Sequence, residues 1–244
     1  MKRSLIILLV LLTTAVFGQK GFLIGAGAYY GVSGVVNQNT YGEPELDYDV
    51  PSSYGVGLNL GFRFSDHLGI RIEAGYARLG QKYFDTRTLP GDTVPANFTR
   101  DIKLDYITIP VLFKYNTNGK AARFYLLAGP QIGILMGAKQ EYLANGAVYF
   151  SDATDLDGNA FQVSEPDIKN RLSSIDLMAR IDLGAEFTLV SNLLLNVGIT
   201  MNYGFLDLNA PAFRMLDYSG NYNGSHNFYG GITLGVSYCI PIGR

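Results

Sequence analysis

The chain has 244 residues, 48% of them hydrophobic and 13% aromatic, with 29 glycines, no tryptophan and one cysteine, Cys239. Its 19 Lys and Arg stand against 21 Asp and Glu. That apolar content excludes disorder, a single cysteine excludes an internal disulfide framework, and the absence of a basic excess excludes a charge-driven nucleic-acid binder, leaving one globular or membrane-embedded domain.

At the start, Lys2 and Arg3 precede an apolar run from Leu5 to Leu12, extended to Phe17 and followed by Gly18 and Gln19. A basic head, an apolar centre and the small residues Val16 and Gly18 are the layout of a secretory signal peptide over residues 1–18, cleaved before Gln19. The run is too short for a spanning helix, which needs about 20 residues. No cysteine follows the cleavage point to carry a lipid. Residues 19–244 are the expected mature domain, and no later stretch approaches the about 18 consecutive apolar residues of a transmembrane helix.

The mature chain instead alternates with period two. A less regular segment, Gly21–Ser33, comes first. Tyr54–Phe64 then sets Val56, Leu58 and Leu60 against Gly55, Gly57 and Asn59, and Ile70–Tyr76 sets Ile70 and Ile72 against Arg71 and Glu73. Leu104–Asn116 and Arg123–Met136 are again less regular. Ser174–Leu189 is the clearest: Ile175, Leu177, Ile181, Leu183, Phe187 and Leu189 on one parity, Asp176, Arg180, Asp182 and Glu186 on the other. Leu193–Gly204 and Ile232–Ile240 repeat the pattern. A strand separates such sets onto two faces, whereas a helix would smear them around its circumference.

Connections alternate too. Ser65-Asp66-His67, Asn116–Lys120 and Val190-Ser191-Asn192 are short; 34–52, 81–103, 137–173 and 207–226 are long. Eight strands joined in this way predict an all-β fold: an eight-stranded antiparallel transmembrane up-and-down β-barrel with short periplasmic turns and long extracellular loops. The polar parity is rich in Gly, Asn and Thr, and only 16% of the chain is charged, against about 25–35% on a solvated surface. The apolar parity is therefore expected to face lipid, with Tyr30, Tyr54, Phe62, Phe64, Tyr76, Tyr203, Phe228 and Tyr238 toward its interfaces. Inward charges are Arg63, Arg71, Glu73, Lys114, Asp176, Arg180, Asp182 and Glu186, four of each sign. Unpaired, each would cost several kcal/mol. They are expected to pair and plug the lumen, with a narrow polar conduit as the alternative.

Tyr106–Tyr115 (YITIPVLFKY) and Phe124–Gly133 (FYLLAGPQIG) resemble the central strands of the PorT-like outer-membrane β-barrel family, best known from Bacteroidota. The resemblance runs from about Gly21 to the end of the chain. It implies an outer-membrane barrel and supplies no catalytic residues; the namesake of the family is linked to protein secretion. The chain departs from many such barrels by ending in Ile240-Pro241-Ile242-Gly243-Arg244 instead of a terminal aromatic. Pro110 and Pro130 each remove a ladder donor and are expected to be accommodated by bulges or bends.

Little else suggests chemistry. His67 lies in a short turn and His226 in a long loop, at opposite ends of a barrel, so they cannot share a metal site or a triad. Ser225-His226 raises a loop-based hydrolase or acyltransferase, the least favoured reading for want of an orienting third group. Asp152, Asp155, Asp157, Gly158 and Asn159 form an incomplete calcium-loop pattern lacking its closing glutamate, and read as an Asp-Gly turn. Glu43, Glu45, Asp47 and Asp49 make the first loop acidic, while Cys239 falls on the inward parity. The Gly25-Ala26-Gly27 and Gly55-Val56-Gly57 spacings precede no helix and read as space-saving inward positions. No catalytic, metal or cofactor residue is expected. The expected role is structural or partner-binding in the outer membrane, the partners being outer-membrane lipid and a protein met through the loops or in a secretion assembly. The alternative is a small pore or secretion accessory.

Overall fold

The computed structural model describes residues 20–37, 47–88, 93–119, 121–190, 192–216 and 220–242. The expected signal peptide, Glu43 and Glu45 lie outside the described residues. In chain order the elements are β1 (Gly21–Val36), β2 (Asp47–Asp49), β3 (Ser52–Arg63), β4 (Leu68–Arg87), β5 (Ala96–Asn116), β6 (Ala122–Ala144), β7 (Ala147–Val148), β8 (Asp152–Thr154), β9 (Ala160–Gln162), β10 (Ile175–Val190), β11 (Leu193–Gly204) and β12 (His226–Pro241). Two single 3-10 turns, Lys169–Arg171 and Pro211–Phe213, lie in the loops before β10 and β12.

Eight long strands form a closed antiparallel ring in the order β1-β3-β4-β5-β6-β10-β11-β12, and β12 returns to β1 from Gly21↔Pro241 to Val36↔His226. Closure leaves no unpaired ladder edge for lipid to meet, which is what allows strands to cross a bilayer. Gly21 pairs with both Arg63 and Pro241, so the first strand begins and the last strand ends at the rim that carries the short turns, the periplasmic end. In the first of those turns Ser65 Oγ accepts the backbone N–H groups of His67 and Leu68, at 3.3 and 3.1 Å.

The polarity of the wall is inverted relative to a soluble protein. Leu58, Leu60 and Ile232 are 69, 63 and 67% exposed, whereas Asn59, Asp176 and Glu186 are 4, 3 and 1% exposed. An arginine at Leu58, midway along β3, would sit in the acyl region; Leu58→Arg is expected to cost about 2–4 kcal/mol, read from urea unfolding in lipid vesicles. The inward glycines make room for rings. A Cβ on Gly184 or Gly198, which face each other across β10 and β11, would lie 2.6 Å from the Tyr125 hydroxyl, and one on Gly55 would lie 2.4 Å from the Tyr29 ring.

Two features differ from expectation. The 81–103 connection is mostly wall: β4 and β5 stay paired up to Arg87↔Ala96, and β6 runs on to Ala144. Above the apolar belt the outward positions of these strands become Arg78, Lys82, Lys103, Asp105, Lys139 and Glu141. The pleat continues there while the hydrophobic contrast disappears. Neither proline creates a bulge. The β5–β6 register is the same at Pro110↔Gln131 and at Phe113↔Ala128, and the β4–β5 register is the same at Ile72↔Val111 and at Gly75↔Thr108. The ladder opens beside each missing donor and resumes unshifted. A bulge lies elsewhere, where Asp105↔Gly137 is followed by Tyr106↔Leu135 and Met136 is the extra residue. Below it Leu127, Gln131 and Leu135 face inward; above it Ala138, Gln140 and Tyr142 do.

Candidate functional site

The lumen is stacked in three layers, and the inward parity of the strands delivers each of them. Nearest the periplasm, Glu186 of β10 gathers three cations. Arg123, its direct cross-strand partner on β6, donates Nε at 2.6 Å together with a second guanidinium nitrogen. Lys114 of β5 donates Nζ to the other carboxylate oxygen, and Arg63 of β3 donates at 3.4 Å to the oxygen that Arg123 holds. Lys114 and Glu186 are nearly inaccessible, with 6 and 1% of their side chains exposed.

At mid-height Arg180 bridges two acids: Nη1 donates to Glu73 at 2.7 Å, and Nε and Nη2 donate to Asp182 at 2.9 and 2.7 Å. Arg71 completes the group on the other oxygen of Glu73. This layer is balanced, two cations to two carboxylates. It borders a cavity of about 60 Å³ lined by Tyr29, Asn59, Thr108, Tyr125 and Tyr229 among others.

The third layer is apolar. Leu79, Leu104, Tyr106, Leu135, Met178 and Tyr229 point in from five strands, and Ile168, Leu172 and Leu208 from the loops pack onto them. Arg171, wholly buried, holds the loop over this layer. It donates to the carbonyls of Val163 and Gln162 at 3.2 and 2.6 Å and to Glu165 at 2.9 Å, and lies 4.6 Å from the centre of the Phe161 ring. Gln140 donates to the Val163 and Glu165 carbonyls, while Arg100 donates to Gln140 at 2.8 Å. The loop before β12 is tied in through Ala210 N–H to the Arg171 carbonyl and Leu156 N–H to the Ala212 carbonyl.

Seven of the eight charges expected in the lumen thus fall into two ion-paired groups. Asp176 does not: it accepts from Asn227 at 2.9 Å, and among the described residues no ion pair reaches it. Arg123 and Arg171 went unrecognised in the sequence. Arg123 opens an irregular strand, and Arg171 belongs to a loop without periodicity.

The other sequence candidates are separated. His67 stacks on Tyr115 at the periplasmic end and His226 on Tyr203 at the far end. The Ser225 hydroxyl donates to the Asn37 carbonyl, while His226 Nδ1 lies 3.1 Å from the Leu206 carbonyl. Asp155 accepts from Asp157 N–H at 3.0 Å and from Asn159 N–H at 2.8 Å, forming a turn closed by Gly158 at φ +87°. The Asn159 N–H, foremost among these bonds, holds the Asp155 carboxyl below its usual range. Among the described residues no group of three His, Cys, Asp or Glu is placed to hold a metal ion.

Residues 17–210 match the family model for the outer membrane protein beta-barrel domain. The chain belongs to this family. The outer-membrane barrel is similar in fold to several solved structures. Neisserial surface protein A is 15% identical, with 89% of this chain and 96% of that one covered at a TM-score of 0.42. A major outer membrane protein from Thermus thermophilus is 16% identical, covering 91% and 99% at 0.48. OprG from Pseudomonas aeruginosa is 13% identical, covering 91% and 97% at 0.43. No curated protein matches the sequence significantly. Membership of the family puts the ring of strands in the outer membrane, with the apolar belt against lipid.

Proposed function

We propose that this outer-membrane barrel is a closed scaffold with a structural or partner-binding role, carrying its interaction surface on the extracellular loops. The observation that supports this reading is the descent of Ile168 and Leu172 from a loop onto the apolar upper layer, above two ion-paired layers. A solute would have to break buried pairs and displace a loop to pass. On this reading the chain has no enzymatic activity, in keeping with the divergent hydrogen bonds of Ser225 and His226. The PorT-like resemblance of Tyr106–Tyr115 and Phe124–Gly133 favours a second reading, an accessory of protein secretion, whose partner would co-purify from detergent-solubilised outer membranes. Planar-bilayer recording discriminates between a scaffold and a pore. The scaffold predicts no steady channel from the purified barrel; discrete, long-lived openings would replace it with the pore reading.

A further inference from the structure

The lower layer of the lumen differs from the middle one in its charge balance. Arg71, Glu73, Arg180 and Asp182 cancel, whereas Arg63, Lys114 and Arg123 share the single carboxylate of Glu186. Asp66 in the adjacent turn attracts Arg63, and counting it still leaves one excess positive charge. Arg63 and Arg123 repel each other through space. Excess positive charge out of bulk water is costly unless an anion joins it.

The two arginines also face an opening. They line a periplasmic vestibule of about 590 Å³ together with Asp66 and with the neutral polar residues Thr117, Asn118, Thr188 and Asn192. Asn116, 3% exposed and one inward step closer to the mouth than Lys114, has an amide nitrogen with no hydrogen-bond partner among the described residues. An unsatisfied buried donor costs about 1–3 kcal/mol. The guanidinium nitrogens of Arg63 and Arg123 not spent on Glu186, with the hydroxyls and amides of the rim, leave the recess with more donors than the carboxylates of Glu186 and Asp66 take up. Guanidinium forks match the paired oxygens of carboxylate and phosphate groups.

We infer that the periplasmic vestibule is an oxyanion-binding site, in which Arg63 and Arg123 grip the oxygens of a phosphate or a carboxylate entering from the periplasm. The same chemistry is available from free phosphate or from the terminal carboxylate of a short peptide.

The test uses the purified full barrel in detergent. Calorimetric titration with inorganic phosphate, with trialanine and with trialanine amide is compared with sodium chloride at matched ionic strength. Heat from phosphate beyond that of chloride points to free phosphate. Heat from the peptide acid but not from its amide points to a chain-terminal carboxylate. In either case Arg123→Gln is expected to weaken binding about tenfold or more, through loss of charge-assisted hydrogen bonds. Where Arg123→Gln no longer shows the gel-mobility shift of a folded barrel, Arg123→Lys serves instead, since it keeps the charge but loses the fork. A response equal to that of chloride for every probe, or one unchanged by both Arg123 variants, overturns the site.

Discussion

Replacing Glu186 by glutamine is expected to cost the barrel about 3–5 kcal/mol, the range for removing one partner of a buried ion pair. Glutamine keeps the shape and one acceptor oxygen, so the loss isolates the charge. Three cations would then face one another with only Asp66 nearby. Lys114, with 6% of its side chain exposed, has the least access to water for relief. Removing one cation should therefore restore part of the loss: Glu186→Gln with Lys114→Met is expected to be more stable than Glu186→Gln alone, since sites sharing one network do not add. Urea unfolding in vesicles, followed by gel mobility, measures both. A single-variant cost below about 1 kcal/mol, the ordinary value of an exposed pair, would mean that water already screens the group.

The second large effect is expected at Arg171. Arg171→Met takes one of two donors from each of the Val163 and Gln162 carbonyls, which keep Gln140 and the Glu165 N–H, and removes the cation beside Phe161. Each charge-assisted bond lost costs about 1.5–3 kcal/mol. Because these bonds lie within the loop and not in the wall, the cost should appear as local opening. Proteinase K is expected to cut between 145 and 173 at least about tenfold faster, while heat-dependent gel mobility, which reads the barrel, stays the same. Unchanged cutting would show that Ile168 and Leu172 hold the loop without the guanidinium.

These two residues also mark how far the fold could be read from the sequence. Ser174–Leu189 became β10 with almost the same bounds, because a strand wet on one side and greasy on the other writes both faces into its residues. Glu186 was therefore legible as an inward charge. Of the cations around it, Arg63 lay on a clean alternation and Lys114 on a less regular one. Arg63 and Lys114 were found; Arg123, beside the turn that precedes β6, was not. The upper halves of β4 and β5 were read as loop because Lys82, Asp101 and Lys103 face outward to water there, which removes the contrast that reveals a strand. Arg171 carries no local signal, since its burial is created by segments 8–9 residues earlier and by the Pro211–Phe213 turn folding around it. Asp176 followed the parity rule for direction, but parity says nothing about partners, and its neighbour is Asn227.

The single extra residue in β6 has a wider consequence. A strand with an uninterrupted two-step rhythm would turn Lys139 and Glu141 toward the axis and Gln140 and Tyr142 away from it. Slipping the rhythm by one at Met136 lets a single continuous strand obey two opposite codes, one written for acyl chains and one for brine. The storey above the slip can thus be furnished like a soluble protein while the storey below remains a membrane one.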